Sequence, residues 1–376
     1  MIKQILILNY EYPPLGGGAA NATYHLLKQF EDSKQFNITL ITSSTGKQKK
    51  LSDNDNITIH YLDIGKKGNI HYQSSKELLT YSVKALSLAR KLNKTQKFDL
   101  VHAFFGIPCG FIAMLLGIPF IVSLRGSDVP FYSRRWYYLD IFIFRYLSKL
   151  IWYKAKKVIA NSQGLKNLAL KTYPNKNISI IPNGVDTNLF YPAKKSNPDL
   201  VILFVGRLIE RKGVDTLINA FAKVLNVIPC HLIIAGDGNQ RTHLESLANR
   251  LGLSKSIDFL GVVEHKDLPE IYRKSDIYVL PSKNEGMSNT CLEAIASGLP
   301  VIMTETGGTA ELLKGNGIII EPNNVISLKE ALLDLLKDTN KRKQFGTISR
   351  ELAKQMSWHN VANAYEKFYK SDFEKI

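Results

Sequence analysis

Short runs of apolar and β-branched residues alternate with amphipathic helical patterns along almost all of the 376 residues. Thirteen such runs are present, seven before the middle of the chain and six after it, and most are apolar throughout. A strand that is apolar on both faces is buried between two layers of helices, as in parallel α/β sheets. The pattern therefore predicts an α/β protein with two Rossmann-like parallel-sheet domains facing a cleft. Ligands of such sheets bind beyond the carboxyl ends of the strands.

A segment rich in Pro, Asn and Lys separates the two series of strands and reads PNGVDTNLFYPAKKSNPD. We place a linker there, at residues 183–198. The N-terminal domain then comprises residues 1–182, and the C-terminal domain comprises residues 199–355. Two domains are expected because a chain of this length exceeds the size at which single hydrophobic cores usually stop growing.

The chain carries 49 Lys and Arg residues against 33 Asp and Glu residues, a formal net charge of +16. Such a surplus favours an anionic partner such as a nucleotide or a phospholipid surface. We expect no nucleic-acid partner, because no recognised nucleic-acid-binding motif is present. Cys109, Cys230 and Cys291 are too widely spaced for a disulfide framework or a zinc site, which favours a reducing cytoplasm. No apolar stretch reaches the roughly 20 residues that span a bilayer, so we expect a soluble or peripheral protein.

Three consecutive glycines, Gly16, Gly17 and Gly18, follow the first predicted strand and precede a helix. Glycines at this position let a ligand approach the backbone and direct amide groups at an anion near the helix N-terminus. The alternative is a tight turn that only joins the strand to the helix. Dinucleotide binding is disfavoured, because Asn21 replaces the third glycine of the G-x-G-x-x-G motif.

Two loops of the second half carry residues suited to phosphate binding. Arg207 and Lys212 bracket the loop after the first strand of that half, where two cations can stabilise a departing pyrophosphate. On charge alone, solvated cations are the simpler interpretation. Gly236 and Gly238 end another strand in the sequence AGDG. This is a weak signal, since Asp237 between them is also a residue type that caps helices.

Other loops contain isolated candidates. Arg125 and Asp128 follow a strand of the first half, and they either reach across the cleft or pair with each other. Val262 follows the strand that ends at Gly261, and its loop position makes it a candidate for donor binding. The acidic sequence at Asp53 to Asp55 falls in a predicted loop between early strands, and we interpret it as solvated surface.

The segment KNEGMSNTCLEAIASG places two glutamates around the predicted start of a helix. Glu285 precedes the helix, and Glu293 lies one turn inside it. Backbone N–H groups at a helix N-terminus stabilise a phosphate, so these carboxylates are expected to bind other parts of the same ligand. We predict that Glu293 binds ribose hydroxyls and that Glu285 binds sugar hydroxyls. The other predicted donor-binding positions of this segment are Gly286, Met287, Ser288, Asn289 and Thr290.

These motifs and their order resemble the retaining glycosyltransferases of family 4, which have the GT-B fold. The resemblance covers nearly the whole chain, from the glycine loop through NGVD at the linker, GRL, RKG and AGDG to a closing helix that contains a tryptophan. The two glutamates eight positions apart, framed by PS and ASGLPV, are its most specific part.

The resemblance implies a role for each matching residue. It assigns Glu285 to the donor sugar, Glu293 to the nucleotide ribose, and both Arg207 and Lys212 to the donor phosphates. Gly17 and Gly18 then match the glycine loop of the family. The donor is expected to be a UDP- or GDP-sugar, with no cofactor and no metal ion, because the two cations stabilise the leaving diphosphate. The leaving phosphate itself would take the proton of the acceptor, so no protein nucleophile is required.

The resemblance also concerns the domains. It implies that the N-terminal domain binds the acceptor, that the C-terminal domain binds the nucleotide sugar, and that a helix at residues 356–376 crosses back to the first domain. One residue departs from the family pattern, since Arg125 stands where many members have a histidine over the donor sugar. A guanidinium stays charged, so this side chain is suited to a phosphate or to an acidic sugar or acceptor.

A basic and aromatic stretch at residues 134–157 predicts a helix with seven cations and a single acid, Asp140. Arg134 and Arg135 begin this series. Cationic and aromatic residues at helical spacing suit an anionic membrane interface. The alternative is that the apolar side chains of the helix form the domain core.

We therefore expect a retaining, metal-independent glycosyltransferase at the inner face of the membrane, acting on a lipid-linked or membrane-proximal glycan. Its pathway would be the synthesis of a cell-surface polysaccharide such as lipopolysaccharide, O-antigen or capsule. Two alternatives stay open. The first is a transferase that acts on soluble sugars, like glycogen synthase or sucrose synthase, and the second is a scaffold that binds sugar nucleotides without turnover.

Overall fold

A computed structural model describes residues 2–31, 33–47, 49–68, 70, 72–132, 137–193 and 199–371, without the side chains of 52–54 and 371. Its contacts divide the chain into two compact units. The first unit comprises Met1–Asn183 together with Trp358–Ile376, and the second comprises Gly184–Ser357. The division of roles between an acceptor-binding and a donor-binding domain stays a prediction.

The segment predicted as a linker, residues 183–198, contains residues that pack within the second unit. Phe190 is buried in that unit, and its ring centroid lies 5.6 Å from that of Tyr272. The N–H group of Val185 donates a hydrogen bond of 2.9 Å to the carbonyl oxygen of Met356. Residues 194–198 of the predicted linker lie outside the described residues.

The first unit is built on an eight-stranded sheet with the order β3-β4-β2-β1-β5-β6-β7-β8. Its strands are β1 (Lys3–Leu8), β2 (Phe36–Ser44), β3 (Lys49–Asn54), β4 (Ile57–Asp63), β5 (Leu100–Phe104), β6 (Phe120–Leu124), β7 (Lys157–Ala160) and β8 (Ile178–Ile180). The seven strands predicted for this half are confirmed. The edge strand β3 is an addition, and it pairs antiparallel with β4. The loop predicted around Asp53 to Asp55 is therefore wrong in part, since β3 extends to Asn54.

The second unit is built on a six-stranded sheet with the order β11-β10-β9-β12-β13-β14, and its strand pairs are parallel. Its strands are β9 (Val201–Val205), β10 (His231–Ala235), β11 (Ile257–Gly261), β12 (Ile277–Leu280), β13 (Val301–Thr304) and β14 (Gly317–Ile320). All six strands predicted for this half are confirmed. Because β9 lies between β10 and β12, the loops after these three strands emerge side by side at one edge of the sheet.

Helices cover the two sheets, as the apolar strands require. In the described part of the chain they are α1 (Gly18–Phe30), α2 (Ser75–Gln96), α3 (Phe111–Leu116), α4 (Tyr137–Leu139), α5 (Arg145–Lys154), α6 (Gln163–Thr172), α7 (Val214–Leu225), α8 (Arg241–Arg250), α9 (Leu268–Lys274), α10 (Asn289–Ala296), α11 (Thr309–Leu312), α12 (Val325–Lys337), α13 (Thr339–Gln355) and α14 (Trp358–Ser371). None of them is both long and apolar enough to cross a bilayer, within the residues that the structure describes.

The closing helix α14 belongs to the first unit, which confirms the predicted crossover. Trp358, Tyr365 and Tyr369 are buried in the core of that unit. The ring of Trp358 stacks on His25 of α1 at 5.0 Å, and the Tyr369 hydroxyl lies 2.7 Å from Nδ1 of His102. The two tyrosines suit this buried position because each hydroxyl finds a hydrogen-bond partner.

The helix predicted over residues 134–157 is shorter, and among the described residues it runs from 137 to 154. A π-helical turn at Asp140–Phe144 precedes α5, and α5 ends at Lys154. The Lys156 N–H group donates to the Phe120 carbonyl oxygen at 2.9 Å, because the chain there joins the sheet and continues into β7. Arg134 and Arg135 lie outside the described residues.

Candidate active site

Lys212 lies in a short 3-10 turn between β9 and α7, after the carboxyl end of β9. Its side chain is largely buried and forms an ion pair with Glu285. Gly213 allows this contact, because it adopts a φ of +65° and a Cβ atom there would lie 2.2 Å from the carbonyl oxygen of Pro281. The turn therefore touches the loop that carries Glu285.

On balance the pKa of Lys212 is lowered in this environment, and Glu285 limits the shift. Burial lowers the pKa of Lys212, the charge and hydrogen bond of Glu285 oppose that effect, and Arg211 and Arg207 lower the pKa further. The Lys212 and Glu285 side chains are only 10% and 12% exposed. A buried ion pair adds little net stability, because its desolvation cost offsets its attraction. We interpret the pair as a means of holding a cation in a shielded position.

Both charges lie close to the start of α10. Burial is the main cause that raises the pKa of Cys291 in the first turn of α10, the charge of Glu285 raises it further, and the charge of Lys212 lowers it. The helix begins after Ser288, whose side chain accepts a hydrogen bond of 3.3 Å from the Cys291 N–H group. The free N–H groups of a first helical turn attract anions. The predicted donor-binding residues Gly286, Met287, Ser288, Asn289 and Thr290 form this end of the helix and the turn before it.

A second glycine pair fixes the position of the Glu285 loop. The N–H group of Gly307 donates a hydrogen bond of 2.9 Å to the carbonyl oxygen of Glu285. A Cβ atom on Gly307 would lie 2.9 Å from that oxygen, and one on Gly308 would lie 2.3 Å from the carbonyl oxygen of Gly286. Only residues without a side chain permit this approach, so the loop after β13 supports the loop after β12.

Glu293 is held by two hydrogen-bond donors. The Tyr272 hydroxyl lies 2.9 Å from Oε2 of Glu293 and 3.0 Å from the carbonyl oxygen of Thr290. Nε2 of His265 lies 3.1 Å from Oε1 of Glu293. The hydrogen bond to Glu293 raises the pKa of His265, and partial burial opposes this effect. The carboxylate therefore has a fixed orientation, and it keeps lone pairs for a ligand.

Sequence reasoning missed His265 and Tyr272 as parts of this site. His265 follows Val262 in the loop after β11, so the rule that ligands bind after parallel strands points to its position. A signal for Tyr272 is weaker, because a buried aromatic residue in α9 is equally typical of a core. The predicted donor-binding candidate Val262 is 81% exposed.

The loops after β9 and β10 are in backbone contact, which places Arg207 between two close approaches. A Cβ atom on Gly236 would lie 1.9 Å from the carbonyl oxygen of Gly206, and one on Gly238 would lie 2.3 Å from that of Leu208. Arg207 lies between those two carbonyl groups in the chain and is exposed. The predicted residues Arg207, Gly236 and Gly238 are thus brought together.

Asp237 does not cap α8 with its side chain. It pairs with Arg241, the first residue of that helix, at 2.9 Å, and accepts a hydrogen bond of 2.6 Å from the Gly238 N–H group. The alternative that Asp237 caps the helix is therefore wrong, and the residue stabilises the turn around the two glycines.

The guanidinium of Arg125 is engaged inside the first unit. It donates to Oδ1 of Asn183 at 2.9 Å and to the Tyr365 hydroxyl at 3.2 Å, and its Cζ atom lies 4.6 Å from the ring centroid of Phe104. Since Tyr365 belongs to α14, this side chain ties the end of β6 to the closing helix. Its predicted catalytic role stays a prediction.

Asp128 acts as an acceptor for backbone amides. Its carboxylate accepts hydrogen bonds from the N–H groups of Gly106 (2.6 Å), Arg125 (2.9 Å) and Gly126 (3.0 Å). Burial raises its pKa, and these hydrogen bonds oppose the shift. Among the described contacts no ion pair joins Asp128 to the Arg125 guanidinium, so the predicted pairing of the two side chains is not formed.

Gly17 and Gly18 form the start of α1 in the first unit, as predicted from the sequence. Gly17 is the residue before the helix, and its N–H group donates a hydrogen bond of 3.3 Å to Oε2 of Glu11. A Cβ atom on Gly17 would meet no atom within 4 Å, which leaves open space beside the loop. No group of three or more His, Cys, Asp or Glu side chains suited to a metal ion occurs in the described residues.

Two family models match adjacent stretches of the chain. Residues 16–189 match the model described as Glycosyltransferase Family 4, and residues 186–352 match the one described as Glycosyl transferases group 1. An uncharacterised glycosyltransferase of Methanocaldococcus jannaschii is 27% identical over 375 residues, which cover 98% of each chain. A human protein that is a component of phosphatidylinositol N-acetylglucosaminyltransferase is 26% identical over 97% of this chain and 75% of its own.

Solved structures share the fold. Sucrose-phosphate synthase from Thermosynechococcus elongatus has a TM-score of 0.84 at 20% identity, over 100% of each chain. Anabaena HepE in complex with UDP-glucose has a TM-score of 0.71 at 20% identity, over 98% of this chain and 99% of its own. With two parallel-sheet units and a closing helix that returns to the first, the protein has the GT-B fold, and the family models identify it as a glycosyltransferase. Within that class, the chain belongs to glycosyltransferase family 4.

Proposed function

We propose that this protein transfers a sugar, with retention of anomeric configuration, from a UDP- or GDP-sugar to a lipid-linked or membrane-proximal glycan. The observation that carries the proposal is the cluster in the second unit, where buried Lys212 pairs with Glu285 beside the start of α10 and Glu293 lies one turn further along. Family membership supports a transferase. The UDP-glucose in the Anabaena HepE structure supports a nucleotide-sugar donor.

Positive groups surround the position that the proposal gives to the diphosphate. Lys212, Arg207 and the N-terminus of α10 would stabilise the charge that develops as the bond from the anomeric carbon to the diphosphate oxygen breaks. The electron pair of that bond stays on the diphosphate. The acceptor oxygen bonds to the anomeric carbon on the same face, and its proton passes to the leaving phosphate oxygen. This scheme needs neither a protein nucleophile nor a metal ion.

The two glutamates would recognise the rest of the donor. Glu293 is oriented by Tyr272 and His265, so it loses little freedom when it accepts hydrogen bonds from the ribose hydroxyls. Glu285 would accept hydrogen bonds from the sugar, while its pairing with Lys212 places sugar and diphosphate next to each other.

A lipid-linked acceptor is supported by the name of the human relative, which is a component of a phosphatidylinositol N-acetylglucosaminyltransferase. The proposal includes action at the inner face of the membrane, in the synthesis of a cell-surface polysaccharide. The fold is also that of sucrose-phosphate synthase, but at that identity the likeness concerns the fold alone. A transferase that acts on a soluble sugar is therefore the second candidate.

A thermal-shift panel of UDP, GDP and their sugar conjugates tests the donor. A ligand at 100 times its Kd stabilises the folded state by about 2.7 kcal/mol, so one base should raise the melting temperature clearly more than the other. Glu293→Gln should reduce this shift, whereas the exposed Glu330→Gln should not. If no nucleotide raises the melting temperature, the proposed function is refuted. If a nucleotide raises it equally in both variants, the donor site is elsewhere. NMR of the product anomer then tests retention.

A further inference from the structure

The positive charge of the chain is concentrated in one stretch of the first unit. Residues 78–185 contain sixteen Lys and Arg against three Asp and no Glu, which is +13 of the total +16. None of the three acids is exposed. Asp99 and Asp140 each accept a backbone N–H group, from Gln4 at 2.8 Å and Phe131 at 2.9 Å, and Asp128 accepts three as described above. The proposed nucleotide site does not account for this surplus, since its residues lie in the second unit.

Two helices of this stretch lie in one layer. The short helix α3 contacts both α2 and α5. On α2, Tyr81, Ala85 and Ala89 are buried at intervals of four residues. The opposite side of α2 carries Leu79 and Val83, which are 66% and 64% exposed. Two large aliphatic side chains one turn apart, directed away from the core, are unusual on a helix whose other face is already packed.

The outer side of α5 has the same character. Ile151 and Trp152 are buried, whereas Tyr146 and Tyr153 are each 66% exposed. Phe142, in the π-helical turn before α5, is 72% exposed. The outward sides of α2 and α5 therefore both present apolar or aromatic side chains to the solvent.

Cations lie beside these apolar side chains on both helices. On α2, Val83 and Leu86 line a surface groove of about 440 Å³ together with Arg90 and Lys94. On α5, the exposed Lys149 lies one turn after Tyr146. An apolar centre flanked by cations matches the acyl and phosphate layers of a bilayer. A nucleic acid would also attract the cations, but it gives no reason for exposed aliphatic residues.

We propose that the outward sides of α2 and α5 form a single docking face for a bilayer that contains anionic lipid. Leu79 and Val83 of α2, and Phe142 and Tyr146 of the α5 region, enter the interfacial layer, while Arg90, Lys94 and Lys149 contact lipid phosphates. The inference rests on the proposed function for its biological purpose, which is access to a lipid-linked acceptor. It extends the sequence prediction, which assigned membrane contact to residues 134–157 alone.

Sedimentation with vesicles tests the contribution of α2. The probe is phosphatidylcholine vesicles with and without 30% phosphatidylglycerol, used at low and high salt. Each cation near an anionic surface contributes roughly a fivefold factor to binding, so Arg90→Glu/Lys94→Glu should lower the partition coefficient at least about 30-fold. The matched control is Lys337→Glu/Lys343→Glu, which reverses two exposed cations of the second unit and should bind like the wild type. Equal effects of both pairs, or equal binding to neutral vesicles, would overturn the proposal.

A fluorescence probe tests insertion separately from charge. In Leu79→Trp, the emission should shift to shorter wavelength on anionic vesicles and should be quenched by lipids brominated in their acyl chains. Ile326→Trp, at a position 52% exposed in the second unit, should show neither change. If Leu79→Trp also shows neither, α2 does not enter the bilayer and the two-helix face is wrong.

The experiments distinguish failure of the docking face from failure of the proposed function. The α2 charge variant should keep the nucleotide-induced melting shift of the wild type, because its substitutions lie outside the donor site. If no nucleotide raises the melting temperature while vesicle binding is intact, the proposed function is refuted and the docking face is supported. Binding of the wild type to duplex RNA without any binding to vesicles would refute the docking face instead.

Discussion

Replacing Lys212 by Met removes the cation from the buried ion pair and keeps a side chain of similar length. Glu285, whose side chain is 12% exposed, is then left without this partner. Removing one member of a buried ion pair costs about 3–5 kcal/mol. Because both side chains of this pair retain some exposure, we expect the lower end, about 3 kcal/mol.

This loss is measurable as a melting shift. For a domain of the size of the second unit, 1 kcal/mol corresponds to about 2–4 °C, so Lys212→Met should melt about 6–12 °C lower. Turnover at saturating donor should fall as well, since removal of one preorganised charge contact costs about 2–4 kcal/mol of transition-state stabilisation. That is a decrease in kcat of about 30- to 1,000-fold.

A double variant separates the two effects. In Lys212→Met/Glu285→Gln both charges are gone, so the melting temperature should return most of the way to that of the wild type while turnover stays low. The control Lys337→Met changes an exposed lysine and should alter neither quantity. Wild-type turnover in Lys212→Met would refute the phosphate role. A double variant that is no more stable than Lys212→Met would refute the argument from the unpaired carboxylate.

Three further predictions follow from other contacts. Activity should survive EDTA, because Arg207, Lys212 and the α10 N-terminus already balance the diphosphate; a loss that Mg²⁺ reverses would contradict this. Truncation after residue 355 should lower the melting temperature of the first unit, since it removes the buried aromatic residues of α14; an unchanged melting curve would contradict the packing. His265→Gln should lower stability most at acidic pH, because the pKa of His265 is raised from 6.5. The stabilisation is full below the unfolded pKa and is lost as pH rises through the folded pKa, which melting curves across pH measure.

The strands could be predicted because a strand that is buried on both faces is a continuous apolar run in the sequence. The exception is β3, whose sequence KKLSDN is polar because it lies at an edge of the sheet and needs no apolar face. The end of α5 was harder to predict. Its helical pattern continues past Lys154, but the N–H group of Lys156 donates a hydrogen bond to the carbonyl oxygen of Phe120 in β6. Local periodicity cannot predict a partner that is distant in the sequence.

The site could be predicted residue by residue but not as a set of contacts. Lys212 and Glu285 are 73 positions apart, and they meet because β9 and β12 are neighbours although β10 and β11 lie between them in sequence. The local sequence does not predict that Lys212 is buried whereas Lys283 pairs at the surface with Glu210. His265 is indicated only by its position in a loop after a strand, since a single histidine in a polar loop is otherwise ordinary.

The contacts of Arg125 could not be predicted from the family resemblance. The family pattern marks its position as one that differs, but it does not say what the arginine contacts. In the structure, one guanidinium bonds to Asn183 and Tyr365 and stacks on Phe104, and a planar group with five donors can do this at once. A neutral imidazole has a single donor, so it could not make the same contacts. The arginine therefore has a structural role, because it joins the end of β6 to α14. Its partner Tyr365 in that helix lies 240 positions away in the chain.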